Sequence, residues 1–385
     1  MYTPDDYPEI RAEIARLCGG FSGRYWQRVD RDRAYPTEFV DALTEGGWLA
    51  ALIPETFGGA GLTLSAGCAI LEEIHRSGGN AGACHAQMYT MGTLLRHGSE
   101  AQKALHLPDI ASGALRLQAF GVTEPTSGTD TTALRTTAVR AETGYVISGQ
   151  KIWTSRAEHS DLMILLARTT PRDQVAKRTD GLSVFLVDMR AARTTGLSIR
   201  PIRTMMNHAT TEVFFDQVPV PADALIGEEG RGFRYILSGM NAERILIAAE
   251  CIGDARWFIE TASRYASERQ VFGRPIGQNQ GVQFPIARAY AQMRAAALMV
   301  AEACRLFEAG EPCGPEANMA KMLAAEAAWA AGEACVQTHG GFGFAEEYDI
   351  ERKFRETRLY QVAPISTNLV LAHLSEHVLG MPRSY

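Results

Sequence analysis

Leu162-Met163-Ile164-Leu165-Leu166-Ala167 and Leu182-Ser183-Val184-Phe185-Leu186-Val187 are two short apolar runs on either side of the polar stretch 169–180. Runs of this length between turn residues read as strands, and the polar stretch as a solvated loop joining them. Its Arg172, Lys177 and Arg178 are read as solvated cations, with contact to a phosphate as the alternative. Working outward, β-branched runs at 136–140, 145–147, 197–202 and 212–215 repeat the pattern at the spacing of an all-β sandwich or barrel. Upstream of about residue 117, apolar residues fall at helical spacing in 9–18, in 37–49, and from 71–75 onward through Leu94. Pro54, Gly58, Gly59 and Gly61 interrupt them as a turn-rich loop. Beyond Gly230 long helices return, and the alanine-rich segments 287–303 and 317–334 suit closely packed bundles. The order implies an α+β multidomain chain. It has an N-terminal α-helical domain (1–117), a middle β-sandwich or barrel domain (118–230) and a C-terminal four-helix-bundle domain (231–385). The absence of β-α-β alternation argues against a doubly wound nucleotide fold. Gly340-Gly341-Phe342-Gly343 lacks the dinucleotide spacing and follows a helical segment.

The chain carries 38 Lys and Arg against 44 Asp and Glu, a formal charge of −6, with no basic run, which argues against a nucleic-acid partner. Its seven cysteines are scattered and form no C-x-x-C pair, so a reducing compartment is expected, with no disulfide framework and no metal site. The start, Met1-Tyr2-Thr3-Pro4-Asp5-Asp6, has neither a basic nor an apolar leader segment, and no run of eighteen apolar residues occurs. A soluble, cytoplasmic protein with no membrane partner is expected.

One carboxylate stands apart. In Met240-Asn241-Ala242-Glu243-Arg244-Ile245-Leu246, Glu243 shares a 3.6-residue stripe with Ile236, Met240 and Ile247. A glutamate on an apolar stripe is desolvated, which raises its pKa toward the range of a general base. The alternative is a salt bridge to a neighbouring helix.

Four segments carry a resemblance: Gly121-Val122-Thr123-Glu124-Pro125-Thr126-Ser127-Gly128-Thr129-Asp130; Gly149-Gln150-Lys151-Ile152-Trp153-Thr154-Ser155; Arg269-x-x-Phe272-Gly273-x-Pro275-Ile276-x-x-x-Gln280; and Gln337-x-x-Gly340-Gly341-x-Gly343. In this order they resemble the acyl-CoA dehydrogenase family over essentially the whole chain. The resemblance implies an FAD cofactor, an acyl-CoA substrate, an electron-transferring flavoprotein as acceptor and a homotetramer built as a dimer of dimers. It places Thr123 and backbone groups near Phe120 and Val122 along the flavin edge, and Thr129 where flavin and the CoA arm meet. Trp153 would flank the flavin, with a simple sheet-core tryptophan as the alternative, and the Ser155 hydroxyl would face flavin N5. Arg269, Phe272, Gln280, Gln337, Gly340 and Gly341 would reach the FAD of a neighbouring subunit, an arginine suiting a pyrophosphate better than a lysine. Ser366 and Asn368 match further FAD positions, and Asn241 and Arg244 would meet the CoA arm.

Many relatives carry the base on a late Tyr-Glu-Gly-Thr loop. Here a gapless match puts Pro364 at that glutamate's place, so the resemblance leaves Glu243, followed by Arg244, as in the isovaleryl-CoA and long-chain branch. Pro364 also lacks the N–H that in the family helps hold the thioester oxygen, so either a neighbour such as Ile365 takes that role, or the loop is shifted, or the chemistry differs. The expected reaction is α,β-dehydrogenation of an acyl-CoA to the trans-2-enoyl-CoA. The alternatives are an oxygen-using acyl-CoA oxidase or flavin monooxygenase of the same fold, and a silent flavin- or acyl-CoA-binding subunit. The acyl pocket is expected around residues 84–95 and Ala363.

Overall fold

A computed structural model describes residues 6–383, and the leader reading of Met1 to Asp5 lies outside them. Helices α1 (Pro8–Cys18), α2 (Gly23–Arg31), α3 (Thr37–Glu45), α4 (Leu64–Arg76), α5 (Gly82–His97) and α6 (Glu100–Ser112) come first. Strands β1 (Leu117–Gly121), β2 (Thr137–Ala141), β3 (Gly144–Ser155), β4 (Leu162–Arg168) and β5 (Leu182–Asp188) follow. After the short helix α7 (Met189–Ala192) come β6 (Leu197–Pro201), β7 (Thr210–Pro221) and β8 (Leu225–Ile226). The long α8 (Gly232–Glu268) leads through the small hairpin of β9 (Gln270–Val271) and β10 (Arg274–Pro275) to α9 (Gln280–Glu308), α10 (Gly314–His339), α11 (Ile350–Tyr360) and α12 (Thr367–His373). The architecture is thus an N-terminal helical, a middle sheet and a C-terminal helical domain. By contacts the chain divides into two compact units. One takes 35–62 and 82–240, and the other takes 1–34, 63–81 and 241–385.

In the first unit the strands form one connected mixed sheet, ordered β6-β7-β3-β2-β4-β5-β8, with β1 parallel to β4. β4 bonds to β1, β2 and β5 and is buried along its whole length. Its alternate residues serve two cores. Met163, Leu165 and Ala167 pack with Tyr145, Ile147, Val213 and Phe215, whereas Leu162, Ile164 and Leu166 pack with Met91, Leu94, Leu107 and Ile110 of α5 and α6. β5 divides in the same way, with Phe185 and Val187 on the first side and Leu182, Val184 and Leu186 on the second. A strand buried on both faces needs apolar residues at nearly every position, and this is why both runs lack a regular alternation. β1, which no sequence run announced, is held by its pairing to β4.

The second unit is helical. Ala317, Ala320, Ala324, Ala327, Ala328 and Ala331 of α10 are buried, and α9 buries Ala289, Met293, Ala296, Ala297 and Val300. Charged groups are buried here as well. The Lys353 ammonium pairs with Asp254 and Glu356 and donates to the Gly79 carbonyl at 3.1 Å, while His75 Nδ1 lies 2.8 Å from Asp254. Arg352 joins Asp349 at 2.6 Å and Glu356 at 2.7 Å and donates to the Gly78 carbonyl at 2.8 Å. His75, Asp254 and Glu356 bring three potential metal-ligand atoms within 4.8 Å of one another, but the Lys353 ammonium already supplies the cation to both carboxylates.

Candidate active site

The segment after β1 is anchored from below. Lys151 on β3 is fully buried, and its Nζ donates to the Val122 carbonyl at 3.1 Å and to Glu124 Oε1 at 2.8 Å. The Glu124 carboxylate also accepts from the Arg135 and Thr136 backbone N–H groups at 2.6 and 2.9 Å. Burial drives the Lys151 pKa down to about 8, with Glu124 opposing the shift. Burial pushes the Glu124 carboxyl up, but Lys151 and the N–H donors outweigh it and its pKa falls below the ordinary value. The Ile152 N–H donates to the Thr123 carbonyl at 2.9 Å, tying strand and segment together at Thr123.

Next to this anchor the β3–β7 register shifts between Lys151 and Thr154. Within this bulge Trp153 adopts a left-handed φ of 60° and stands 57% exposed. The sheet-core alternative for Trp153 is thereby removed. A large aromatic is thus held outward by backbone that L residues seldom adopt. Two residues on, the Ser155 Oγ accepts from Asn207 Nδ2 at 2.8 Å, which leaves the hydroxyl hydrogen to donate elsewhere. Asn207 also has a left-handed φ, 54°, and its carbonyl accepts from Thr210 Oγ1 at 2.7 Å. Phe120, Val122 and Thr123 are half-buried beside the anchored segment, and Thr129 is exposed. An exposed indole, an orientable hydroxyl and a fixed segment of backbone fit a planar ring system with polar edges.

In the helical unit Glu243 lies on α8 and is 8% exposed, inside the apolar stripe read from the sequence. Arg244 beside it is equally buried; its Nη1 donates to Asn241 Oδ1 at 3.0 Å, and its Nε has no hydrogen-bond partner among the described residues. Burial pulls the Arg244 guanidinium below its ordinary pKa, and Glu243 opposes that shift. The residue 361–366 loop is fastened to α10 by Gln361 Nε2, which donates to the Ala325 carbonyl at 2.8 Å, and by Lys321 Nζ, which donates to the Ile365 carbonyl at 2.7 Å. Burial lowers the pKa of Lys321. Ser366 is the N-cap of α12, its side chain accepting from the Leu369 N–H at 3.4 Å, and Asn368 is exposed.

At the far end of α8, Arg269 is exposed and lies 5.8 Å from the Phe342 ring, and Tyr265 stacks on His339 at 4.0 Å. These contacts bring Arg269 to the turn containing Gly340 and Gly341, which follows Gln337 at the end of α10. Phe272 is fully exposed at the hairpin tip with a φ of 52°, and Gln280 opens α9 at the surface. Sequence reading missed Lys151, Asn207, Lys321 and Gln361 as supports of the site. Only Lys151 lay inside a recognised segment; the other three meet their partners far along the chain.

These features define the class of helix–sheet–helix flavoenzymes. The chain matches the acyl-CoA dehydrogenase N-terminal domain over residues 4–114, the middle domain over 119–218 and the C-terminal domain over 230–377. An acyl-CoA dehydrogenase of Bacillus subtilis (strain 168) is 34% identical over 355 residues, 91% of this chain and 92% of that protein. A 3-(aryl)acrylate reductase of Clostridium sporogenes (strain ATCC 15579) is 32% identical over 336 residues, 87% of this chain and 88% of that protein. The solved glutaryl-CoA complex of a glutaryl-coenzyme A dehydrogenase superposes with a TM-score of 0.91 at 27% identity, covering 100% of this chain and 98% of that one. The chain belongs to the acyl-CoA dehydrogenase family of FAD-dependent oxidoreductases.

Proposed function

We propose that this enzyme converts an acyl-CoA to the trans-2-enoyl-CoA with Glu243 as the base, and that an electron-transferring flavoprotein takes the electrons. The observation that carries the reading is a buried glutamate on the apolar face of α8, combined with a proline at the place where many relatives keep their base. Glu243 takes the α-proton, whose acidity depends on hydrogen bonds to the thioester oxygen as enolate charge develops. Thr123, Trp153 and Ser155, with backbone near Phe120 and Val122, hold the flavin, and Asn207 aims the Ser155 hydroxyl. FAD, when bound, supplies the two-electron acceptor for the β-hydrogen. Thr129, Asn241 and Arg244 meet the CoA portion, and Ser366 and Asn368 contribute to the cofactor site. Arg269, Phe272, Gln280, Gln337, Gly340 and Gly341 serve the FAD of a second copy, and this supports a homotetramer of paired dimers. Their exposure on the free chain agrees with that role. A cytoplasmic setting is supported by free, buried cysteines. No described helix is long and apolar enough to cross a membrane.

The test is anaerobic titration of the yellow holoenzyme with acyl-CoAs from butyryl- and isovaleryl-CoA to palmitoyl-CoA, following flavin bleaching. Glu243→Gln should slow bleaching at least about a thousandfold. Bleaching at the wild-type rate in that variant rules Glu243 out as the base. Oxygen consumption in air without an added acceptor would reassign the enzyme as an oxidase.

A further inference from the structure

We propose that Lys321 and Gln361 are positioning residues that clamp the residue 361–366 loop to α10 and so aim an N–H of that loop at the thioester oxygen. The inference rests on the dehydrogenase reading and names the groups that compensate for Pro364. Lys321 and Ala325 lie one helical turn apart on the same face of α10. Gln361 reaches down to the Ala325 carbonyl at 2.8 Å, and Lys321 reaches up to the Ile365 carbonyl at 2.7 Å. The two bonds run in opposite directions and grip the loop near both ends. Just before it, the Tyr360 hydroxyl donates to Glu250 Oε2 at 3.0 Å; just after it, Ser366 caps α12. Between the two grips Val362 arches outward, 60% exposed.

Lys321 is the unusual member. Its side chain is fully buried, it has no carboxylate within ion-pair distance among the described residues, and its one hydrogen-bond partner there is the Ile365 carbonyl. Burying an ammonium costs several kcal/mol, far more than one carbonyl bond returns, so apolar packing would serve a purely structural need better. What the ammonium does give is direction. In a trans peptide the carbonyl and the following N–H point opposite ways, so turning the Ile365 carbonyl toward α10 turns the Ser366 N–H away from it. Pro364 has no N–H. The N–H groups of Ile365 and Ser366 have no backbone partner among the described residues, which leaves them as the donors the clamp can aim.

The experiment compares Lys321→Met and Gln361→Leu with the wild-type holoenzyme. It measures bleaching per bound flavin against concentration of the acyl-CoA from the panel above that reduces the wild type fastest. At saturation, Lys321→Met should bleach at least about tenfold more slowly and Gln361→Leu about threefold more slowly, while half-saturating concentrations move less than about threefold. That pattern separates aim from binding, and counting per flavin removes losses due to poor folding. Wild-type rates per flavin in both variants overturn the clamp. If Lys321→Met does not fold, Gln361→Leu at the half-buried loop position decides alone. A wild type that no acyl-CoA bleaches defeats the dehydrogenase reading itself, whereas equal bleaching of wild type and variants defeats only this inference.

Discussion

The sheet unit and the helical unit use buried charge differently. Beside the candidate flavin edge, a single ion pair, Lys151 with Glu124, holds one segment of backbone in place. In the helical unit, Arg11 and Arg256 converge on Glu72, and His75, Asp254, Lys353, Glu356, Arg352 and Asp349 form a continuous buried chain through α4, α8 and α11. Strands already have a ladder to fix their register, so this anchor falls on the segment leaving β1 and not on the strands themselves. Alanine-rich helices slide easily over one another, and paired charges that must meet select one alignment, a role better attested for buried ions than added stability.

Lys353→Met is the strongest way to break this comparison. It removes the ammonium that joins Asp254 to Glu356, leaving Asp254 with His75 alone and Glu356 with Arg352 alone, and should cost about 3–5 kcal/mol in denaturant unfolding. A loss under about 1 kcal/mol would show that the network is idle. The pH signs follow from the shifts. Burial opposes the charge on Lys353, but Asp254 and Glu356 outweigh it and hold its pKa above 10.5, so its contribution is complete below 10.5 and is lost above the folded value. Asp254 lies below its ordinary 3.8 because Lys353 and His75 outweigh its burial, so its contribution is present above 3.8 and is lost as pH falls through the folded value.

Lys151→Met should cost less, about 2–3 kcal/mol, because Glu124 keeps its two backbone donors. Its signature is the opposite slope. Between pH about 8 and 10.5 the unfolded chain holds the Lys151 proton and the folded chain releases it, so wild-type stability should rise with pH there, and the rise should vanish in the variant. Parallel pH curves for the two proteins would contradict the depressed lysine. Smallest is Asn207→Ala, which removes the donor that orients the Ser155 hydroxyl. Stability should change by about 1 kcal/mol or less while flavin reduction slows about tenfold. Unchanged reduction would remove Asn207 from the site.

Much of the fold was legible because strong patterns lay within single segments. β4 and β5 could be read from their unbroken apolar runs, and α10 from its alanines. β1 could not, since Leu117–Gly121 is a strand only because β4 lies alongside it. In the same way the Trp153 motif was visible, but its exposure came from a bulge that β7 imposes on β3. Glu243 was visible as a periodic carboxylate, whereas Lys321, an ordinary lysine in an alanine-rich helix, gave no sign of reaching a carbonyl 44 residues away.

The sequence by itself determined the helix–sheet–helix order, the motif segments and the family, because periodicity and spacing are local properties of the chain. It also determined that residue 364 offers neither a carboxylate nor an N–H. The tertiary structure alone decided that Trp153 faces outward, that Asn207 frees the Ser155 proton, and that Lys321 and Gln361 grip the residue 361–366 loop. Each of these depends on directional bonds between distant residues, and the geometry of such bonds exists only once the backbone has folded.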